Sequence, residues 1–327
     1  MKKAFSFMVA FTVCFGSIFI LNLTAKAESN KALEDIYVES GEISLNDIEL
    51  SINNNQLRIS PKVQSYEVTR NMNALVQQMK TSPSLETQLV EYCQSDSYDP
   101  SNPYPLKVGY SSVYLKNVEQ DGYTHTEPMT ISEVAEMKAA EDKPTISPRT
   151  EIVTGKAGNG KLTMYVSAQM NRKSNFPTIY MDSMVWGEWT DGFSIFGDNV
   201  PATGDDFEIN TVPDQFLVID DDFSYIATTY MSHNYYRWDA KDHSVCYAFR
   251  EYYANPTSYM TYVATSTTSK RDQSSTNDKR DRNFYGTYIH TWKELSPSFG
   301  MSGNEISPDF GQSSQKWQVA ARVTYNC

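Results

Sequence analysis

KLTMYVSAQM, at residues 161–170, is the stretch that decides the fold class. Every second residue in it is apolar: Leu162, Met164, Val166, Ala168 and Met170. Successive side chains of a β-strand point to opposite faces of a sheet, so this period of two indicates a strand with one apolar face. The stretch therefore predicts a β-strand, and from this point on the sequence contains repeated runs of alternating apolar and polar residues.

Seven later segments carry the same strand signal. They are residues 178–186, 216–219, 224–235, 244–253, 258–265, 284–292 and 317–325. Tyrosine, threonine and valine favour strands, and the chain contains 22 tyrosines. Because no clear helical periodicity separates these segments, we predict a mainly β protein in which residues 161–327 form an antiparallel β-sandwich or jelly roll.

The preceding residues, 28–140, predict a smaller mixed α/β region. Apolar residues at helical spacing predict a helix over 66–79, after a short hairpin around residues 48–59. A second helix is predicted over 85–93, preceded by Ser82 and Pro83 as a cap and a first helical residue. Thr130 and Glu133 have the spacing of a capping box, which opens a third helix. Prolines and glycines then predict a linker at 141–160 between this region and the β-sandwich.

The first 27 residues have the layout of a secretory signal peptide. Two lysines precede a mostly apolar block, and Ala25 and Ala27 supply the small residues of a cleavage site. We therefore expect cleavage after Ala27 and a secreted or extracellular protein. The apolar block at 4–23 is also long enough to span a bilayer, so an uncleaved N-terminal membrane anchor is the alternative.

The composition restricts the partners. The chain carries 28 Lys and Arg against 40 Asp and Glu, for a net charge of −12. Nucleic acids and anionic membranes are negatively charged and attract basic residues. We therefore expect neither a nucleic-acid partner nor membrane insertion of the mature domain. Cleavage would leave Cys93, Cys246 and Cys327, which allow at most one internal disulfide and do not say which pair forms it.

The strongest local anomaly is an acidic window between Lys173 and Arg237. It contains eleven acidic residues and no lysine or arginine. Calcium accepts six to eight oxygen ligands from carboxylates, carbonyls and water, and residues 197–208 and 220–222 resemble loops that could supply them. We therefore consider calcium an optional cofactor, with no cofactor required. The candidate metal ligands are Asp198, Asp205, Asp206, Asp220 and Asp222. The alternative is a solvated acidic face.

Aromatic residues near these carboxylates suggest a binding surface. The candidate ligand-binding residues are Trp186, Trp189, Tyr235 and Trp238. Exposed aromatic faces beside carboxylates and amides are common where proteins bind sugars. The alternative is that these side chains belong to the core, because half of the aromatic residues in a strand face inward.

Motifs for nucleophilic and metal catalysis are missing, and histidine is scarce, with four in the chain. Our leading hypothesis is therefore a non-catalytic secreted protein that binds an extracellular glycan or protein. The alternative is a secreted hydrolase, most plausibly of polysaccharide, that uses a carboxylate pair. No residue is assigned to such a pair, although Glu188 and Asp191 lie in the acidic window.

A third hypothesis, a pore-forming protein, rests on residues 258–292. Their alternation of serine and threonine with apolar residues could form an amphipathic hairpin. Its middle, at 266–283, carries two pairs of basic residues among polar ones and equally predicts an exposed, mobile connection.

Overall fold

The computed structural model describes most of the chain after residue 35. The described residues are 36–54, 56–95, 106–120, 123–141, 159–171, 173–190, 206–227, 235–249, 260–275, 277–291, 298–302, 305–309 and 316–327. The predicted signal peptide and nearly all of the predicted linker lie outside them. Within the described residues the protein is mainly β, as predicted, and all the strand pairs are antiparallel.

Most of the secondary-structure elements are strands. The strands are β1 (Val38–Ser44), β2 (Ile48–Asn53), β3 (Gln56–Pro61), β4 (Lys107–Gln120), β5 (Tyr123–Pro128), β6 (Asn159–Met170), β7 (Thr178–Thr190), β8 (Asp206–Thr211), β9 (Leu217–Ala227), β10 (Tyr235–Lys241), β11 (Ser244–Phe249), β12 (Met260–Asp272), β13 (Asp281–Thr291), β14 (Ser298–Ser302), β15 (Glu305–Asp309) and β16 (Lys316–Asn326). The helices are α1 (Tyr66–Thr81), α2 (Pro83–Gln94) and α3 (Ile131–Glu141).

Two larger sheets hold most of the strands. The first has seven strands in the order β1-β4-β6-β7-β12-β9, with β5 paired to β4. The second has five strands in the order β10-β11-β8-β13-β16. Two hairpins, β2-β3 and β14-β15, form small sheets of their own. Since β4 pairs with β6, strands from both sides of the predicted linker belong to one sheet.

The two larger sheets share a core. One cluster of buried residues takes Met164 and Val185 from the first sheet and Tyr288 and Val323 from the second. The alternating apolar residues of β6 all belong to this cluster, which confirms the strand that the sequence predicted. The polar face of β6 is buried as well, because further elements cover it.

Those elements are α1, α2 and the β2-β3 hairpin. A second cluster joins Leu75 of α1 and Leu89 of α2 to Tyr165 and Trp186 on the outer face of the seven-stranded sheet. Helices were predicted at both places. The predicted capping box of α3 is also confirmed, since the backbone N–H of Thr130 donates to the Glu133 carboxylate at 2.8 Å.

The two larger sheets are in direct contact where β4 meets β16. The ammonium of Lys107 donates to the carbonyl oxygen of Thr324 at 2.9 Å, and the N–H of Thr324 donates to Glu42 on β1 at 3.0 Å. Nearby, Gly109 of β4 lies against the backbone of Arg322 of β16, and a Cβ at position 109 would overlap the Arg322 carbonyl group. Glycine is therefore required by this close approach.

The region 258–292 differs from its predicted form. The strand β12 runs on to Asp272, so residues 266–272 are strand and the connection is confined to 273–280. Arg271 is only 4% exposed, because it packs over Phe216 and pairs with Asp278. The strands β12 and β13 also belong to different sheets, so the predicted hairpin between them is wrong.

Among the described residues, the structure contains no helix that is both long and apolar enough to cross a membrane.

Candidate functional site

The candidate site is a groove on the outer face of the seven-stranded sheet, on the part that the helices leave open. Its volume is about 490 Å³. It is lined by side chains of β6, β7, β9 and β12, together with Leu106 before β4. The strand register places Asp220, Thr268, Asp182 and Gln169 in one row across these four strands.

Three carboxylates face this groove. Asp182 accepts hydrogen bonds from the hydroxyl of Thr268 at 2.9 Å and from the side-chain amide of Asn171 at 2.7 Å. Asp220 and Asp222 are exposed, and each accepts only the N–H of the following residue among the bonds described, at 3.1 and 2.8 Å. The groove therefore has an acidic end that also carries hydroxyl groups from β12.

An apolar chamber adjoins the acidic end. Its volume is about 250 Å³, and Leu106, Ser167 and Met184 line both cavities. Its other walls include Leu89 and Tyr92 of α2 and Trp186 of β7. The site thus runs from carboxylates and hydroxyls at one end to apolar side chains beneath a helix at the other.

The indole of Trp186 is the floor of the chamber. It stacks on Tyr165 with the ring centroids 4.9 Å apart and is 1% exposed. Its Nε1 donor is buried and has no hydrogen-bond acceptor among the described residues. A buried donor without an acceptor costs free energy, so this indole is held in place by its packing rather than by a hydrogen bond of its Nε1.

Glu188 holds the helix that forms one wall. Its buried carboxylate accepts hydrogen bonds from the hydroxyls of Ser82 and Ser84 and from the N–H of Ser84 at 3.2 Å. The first N–H groups of a helix have no partner within the helix, and a carboxylate there also interacts favourably with the helix dipole. Glu188, one of the two acids considered for a hydrolase, thus caps α2; Asp191 lies outside the described residues.

Glu188→Ala will loosen α2 on the sheet. We expect a loss of stability of about 1–3 kcal/mol, because the capped N–H, the buried Ser82 hydroxyl and the half-buried Ser84 hydroxyl lose their acceptor. Thermal melting measures the loss, and hydrogen exchange of the α2 amides shows where it occurs. Ser84→Ala, which removes one donor and leaves the carboxylate, is the matched control with a smaller effect. Unchanged exchange in α2 would contradict the capping role.

A polar cluster is buried between the two larger sheets, outside the groove. Asn210 of β8 donates to the carbonyl oxygens of Thr265 and Ser183 at 3.0 and 3.3 Å. The Thr265 hydroxyl donates to one oxygen of Glu208 at 2.8 Å, and the other oxygen has no partner among the described residues. Burial raises the pKa of the Glu208 carboxyl well above its ordinary value, because the charged form loses its hydration.

Glu208→Gln will change how stability depends on pH. The pKa of this carboxyl is higher in the folded state than in the unfolded state, where it is about 4.3. Its contribution to the stability of the fold is therefore complete below the unfolded-state pKa and is lost as pH rises toward the folded-state pKa. The variant should therefore match the wild type at low pH and exceed it at neutral pH by about 1 kcal/mol or more, since one pKa unit is worth about 1.4 kcal/mol. Denaturant titrations at both pH values test this, with the exposed Glu49→Gln as control. Equal stability at neutral pH would contradict it.

A second buried constellation joins Asp206 to His290. The His290 Nδ1 lies 2.8 Å from the Asp206 carboxylate, and its Nε2 lies 3.3 Å from the Thr126 hydroxyl. Carboxylate, imidazole and hydroxyl in this order form the relay of a nucleophilic catalyst. All three side chains are, however, at most 3% exposed, so in this structure they connect β8, β13 and β5 inside the protein.

The predicted calcium ligands are not brought together. Asp206 pairs with His290 in the interior, whereas Asp220 and Asp222 are exposed on β9, a strand that runs unbroken where we predicted a loop. Asp198 and Asp205 lie outside the described residues. Within the described part of the chain, no three histidine, cysteine or acidic side chains are grouped as a metal site. Calcium binding stays a prediction.

The predicted aromatic face is not formed by the two tryptophans of β7. Trp186 and Trp189 are 1% and 7% exposed, and Trp189 packs edge-on against Tyr288 in the core. Both side chains therefore belong to the core, which was the alternative in the sequence analysis, because both faces of β7 are covered. Tyr235 and Trp238 lie on β10, and their side chains are outside the described part of the structure.

Cys93, Cys246 and Cys327 are all free thiols in the structure. Cys246 and Cys327 are buried in the sheets, while Cys93 lies half-buried on α2. Burial raises the pKa of the Cys93 thiol to about 11 and that of Cys327 to about 12, so both are poor nucleophiles.

Comparison with known proteins gives no family. No family model and no curated protein matches the chain. One similar solved structure, from work on "pH-induced modulation of Streptococcus parasanguinis adhesion by Fap1 fimbriae", has 10% identity, covers 50% of this chain and 79% of its own, and has a TM-score of 0.22. A structure described as a pore-forming protein has 6% identity, coverages of 66% and 92%, and a TM-score of 0.21.

A third similar structure is the N-terminal domain of the Streptococcus gordonii adhesin Sgo0707. It has 9% identity, covers 88% of this chain and 85% of its own, and has a TM-score of 0.13. At TM-scores as low as these three, the similarities carry no argument about the function of this chain.

Proposed function

We propose that this chain is an exported β-sandwich protein that binds an extracellular ligand, a glycan or a protein, without catalysing its conversion. The observation that carries the proposal is the candidate site, in which the acidic groove adjoins the apolar chamber beneath α2. The signal-peptide pattern of residues 1–27 and the excess of acidic residues support an extracellular setting.

The dimensions of the groove suit a binding site. Ligand sites are typically concavities of about 300–1,000 Å³ with mostly apolar walls and a few placed polar groups. The acidic end, at about 490 Å³, and the chamber, at about 250 Å³, together lie in that range. The walls are hydrogen-bonded strands and a helix capped by Glu188, which favours a preformed site.

Calcium is a separate part of the proposal. A cation held by the carboxylates of the acidic window would stabilise the folded protein by mass action. Melting curves in calcium and in chelator test this directly. A higher midpoint in calcium supports a site that includes residues outside the described part, such as Asp198 and Asp205, and identical curves remove calcium from the proposal.

A binding screen of the exported chain tests the proposed function. Immobilised glycans and extracellular proteins are probed with the wild type, and the products are analysed so that hydrolysis is distinguished from binding. The groove variant Asp220→Asn/Asp222→Asn should weaken capture. The control Asp214→Asn/Asp281→Asn removes the same charge at exposed positions outside the groove and should not. Capture that is equal in both variants would refute the groove as the site, and released products would favour the hydrolase.

A further inference from the structure

We propose that α3 is a detachable element of the fold, held on the seven-stranded sheet mainly by charged side chains, and that rising ionic strength releases it while the two larger sheets stay folded. The inference is independent of the candidate site and of the proposed function. It is carried by the small apolar contact of α3, by a lysine of α3 that lies between two tyrosine rings and a carboxylate, and by a second ion pair in the first turn of the helix.

The apolar contact of α3 is much smaller than that of the other two helices. Val134 is the one buried residue among the described side chains of α3, and Ile131 is exposed. Leu75 of α1 and Leu89 of α2, in contrast, belong to the cluster that covers the outer face of the sheet, and no described residue of α3 belongs to that cluster. An isolated helix of 11 residues is marginal in water, so α3 depends on its other contacts with the sheet.

A lysine in the last turn of α3 provides one of these contacts. The ammonium of Lys138 lies 4.8 Å from the ring centroid of Tyr37 and 5.2 Å from that of Tyr114. It donates to Glu39 Oε1 at 2.9 Å and to the Tyr37 hydroxyl at 3.2 Å. Aromatic faces attract cations, and a carboxylate strengthens the hydrogen bond that an ammonium donates. Tyr37, Tyr114 and Glu39 thus form an ammonium cage, which connects α3 to β4 and to the start of β1.

The ammonium cage is also held by contacts that do not involve α3. The hydroxyl of Tyr37 donates to Glu39 at 2.8 Å, and Lys161 of β6 lies 3.5 Å from the same carboxylate. Burial raises the pKa of Glu39, but the hydrogen bonds from Lys138 and Tyr37 outweigh burial and lower this pKa below its ordinary value. Glu39 is therefore ionised at neutral pH, and the cage keeps its partners within the sheet when α3 leaves.

A second ion pair holds the first turn of α3, where Glu133 pairs with Lys116 of β4. The residue that precedes this turn is fixed by backbone bonds instead. The N–H of Met129 donates to the carbonyl oxygen of Tyr114 at 2.8 Å, and its own carbonyl oxygen accepts the N–H of Tyr37 at 3.0 Å. Met129 therefore marks the boundary between backbone that is bonded to strands and a helix that is held largely by charged side chains.

Salt weakens these charged contacts more than it weakens a buried core. The four side chains of the two ion pairs, Lys138, Glu39, Lys116 and Glu133, are all partly exposed. Exposed ion pairs are screened as the Debye length falls from about 30 Å at 0.01 M salt to about 3 Å at 1 M. Weakly held segments open locally without global unfolding. Rising ionic strength should therefore increase the population in which α3 has left the sheet and the rings of the ammonium cage are uncovered.

Hydrogen exchange of the full chain, measured by mass spectrometry at low salt and at about 1 M sodium chloride, tests the inference. We expect the α3 amides to exchange about three- to tenfold faster at the higher salt, as the loss of two exposed ion pairs implies. The α1 amides serve as the internal reference and should keep their protection. Equal exchange of α3 at both salt concentrations would overturn the inference, and so would a parallel rise in α1, which would report loosening of the whole fold.

Variants assign the effect to the ammonium cage. Lys138→Met keeps the apolar stem and removes the charge, so at low salt it should speed α3 exchange about threefold and reduce its salt dependence. Lys138→Arg retains a cation and should restore most of the protection. Lys80→Met, in the last turn of α1, is the matched control and should leave α3 unchanged.

A double variant tests whether the lysine acts through the carboxylate. The effects of Lys138→Met and Glu39→Gln on α3 exchange should be smaller together than the sum of the two separate effects, because both remove the same contact. Additive effects would overturn the role of the ammonium cage. Exchange of α3 in Lys138→Met that equals the wild-type rate would overturn it as well.

Discussion

Gly109→Ala will destabilise the fold by about 3 kcal/mol or more, one of the two largest effects that we expect from a single substitution. The added methyl group would overlap the carbonyl of Arg322, and both partners are backbone in paired strands. Relief therefore requires β4 and β16 to separate, which also breaks the bond from Lys107 to Thr324. Denaturant unfolding of the purified protein measures the loss.

The matched control is Gly41→Ala on the neighbouring strand β1. There the added methyl group would contact the ring end of Tyr110, which is the far end of a side chain that can turn aside. We expect a cost of about 1 kcal/mol or less. Similar losses at both positions would mean that the contact between the two sheets is not the reason why position 109 requires glycine.

Asp206→Ala is the second substitution with a large effect. It leaves the buried His290 without the carboxylate that lies 2.8 Å away and removes an acceptor from the N–H of Thr291. Each buried donor that loses its acceptor costs about 1–3 kcal/mol, so the two contacts together make this a large loss. Thermal and denaturant unfolding should both report the loss, because the contact joins β8 to β13 at the centre of the second sheet.

Two further variants separate charge from hydrogen bonding at this site. Asp206→Asn keeps an acceptor of the same shape and should recover part of the stability lost in Asp206→Ala. In the double variant Asp206→Ala/His290→Phe, the carboxylate and the imidazole that it contacts are both removed, so the loss should be smaller than the sum of the two single losses. Additive losses would mean that the two side chains are not coupled.

Much of the sheet could be predicted because its strands follow simple rules. The alternation in residues 161–170 gave β6 and its apolar face correctly, since that face packs on the second sheet. The capping box at Thr130 and Glu133 located the start of α3, because this motif depends only on local hydrogen bonds. The helix α1 was recognisable from apolar spacing, because it covers the sheet with one face, and α2 was recognisable from the Ser82-Pro83 start signal.

The strand β8 shows where such rules fail. Its sequence alternates as strictly as β6, yet Asp206 and Glu208 led us to expect a calcium loop. In the structure these polar residues face partners in the protein interior, His290 and Thr265, while Phe207 and Ile209 pack in a separate cluster. A polar face that turns inward is recognisable only when its distant partners are known.

The candidate site was only partly predictable. The acidic window pointed to Asp220 and Asp222, which do line the groove. It could not reveal Asp182 as their neighbour, because that relation depends on the pairing of β12 with both β7 and β9. Trp186 was named for an exposed face and instead lines a chamber beneath α2, since sequence alone does not show which strand face a helix covers.

The pairing of β4 with β6 has a consequence for proteolysis. Ten registered residue pairs connect these strands, and residues 142–158 provide the covalent link between the parts of the chain that carry them. A cut within 142–158 would therefore not free the earlier part as a propeptide. It would leave two fragments that remain associated through a shared sheet, and the same fragments, produced separately, should reconstitute the fold by complementation.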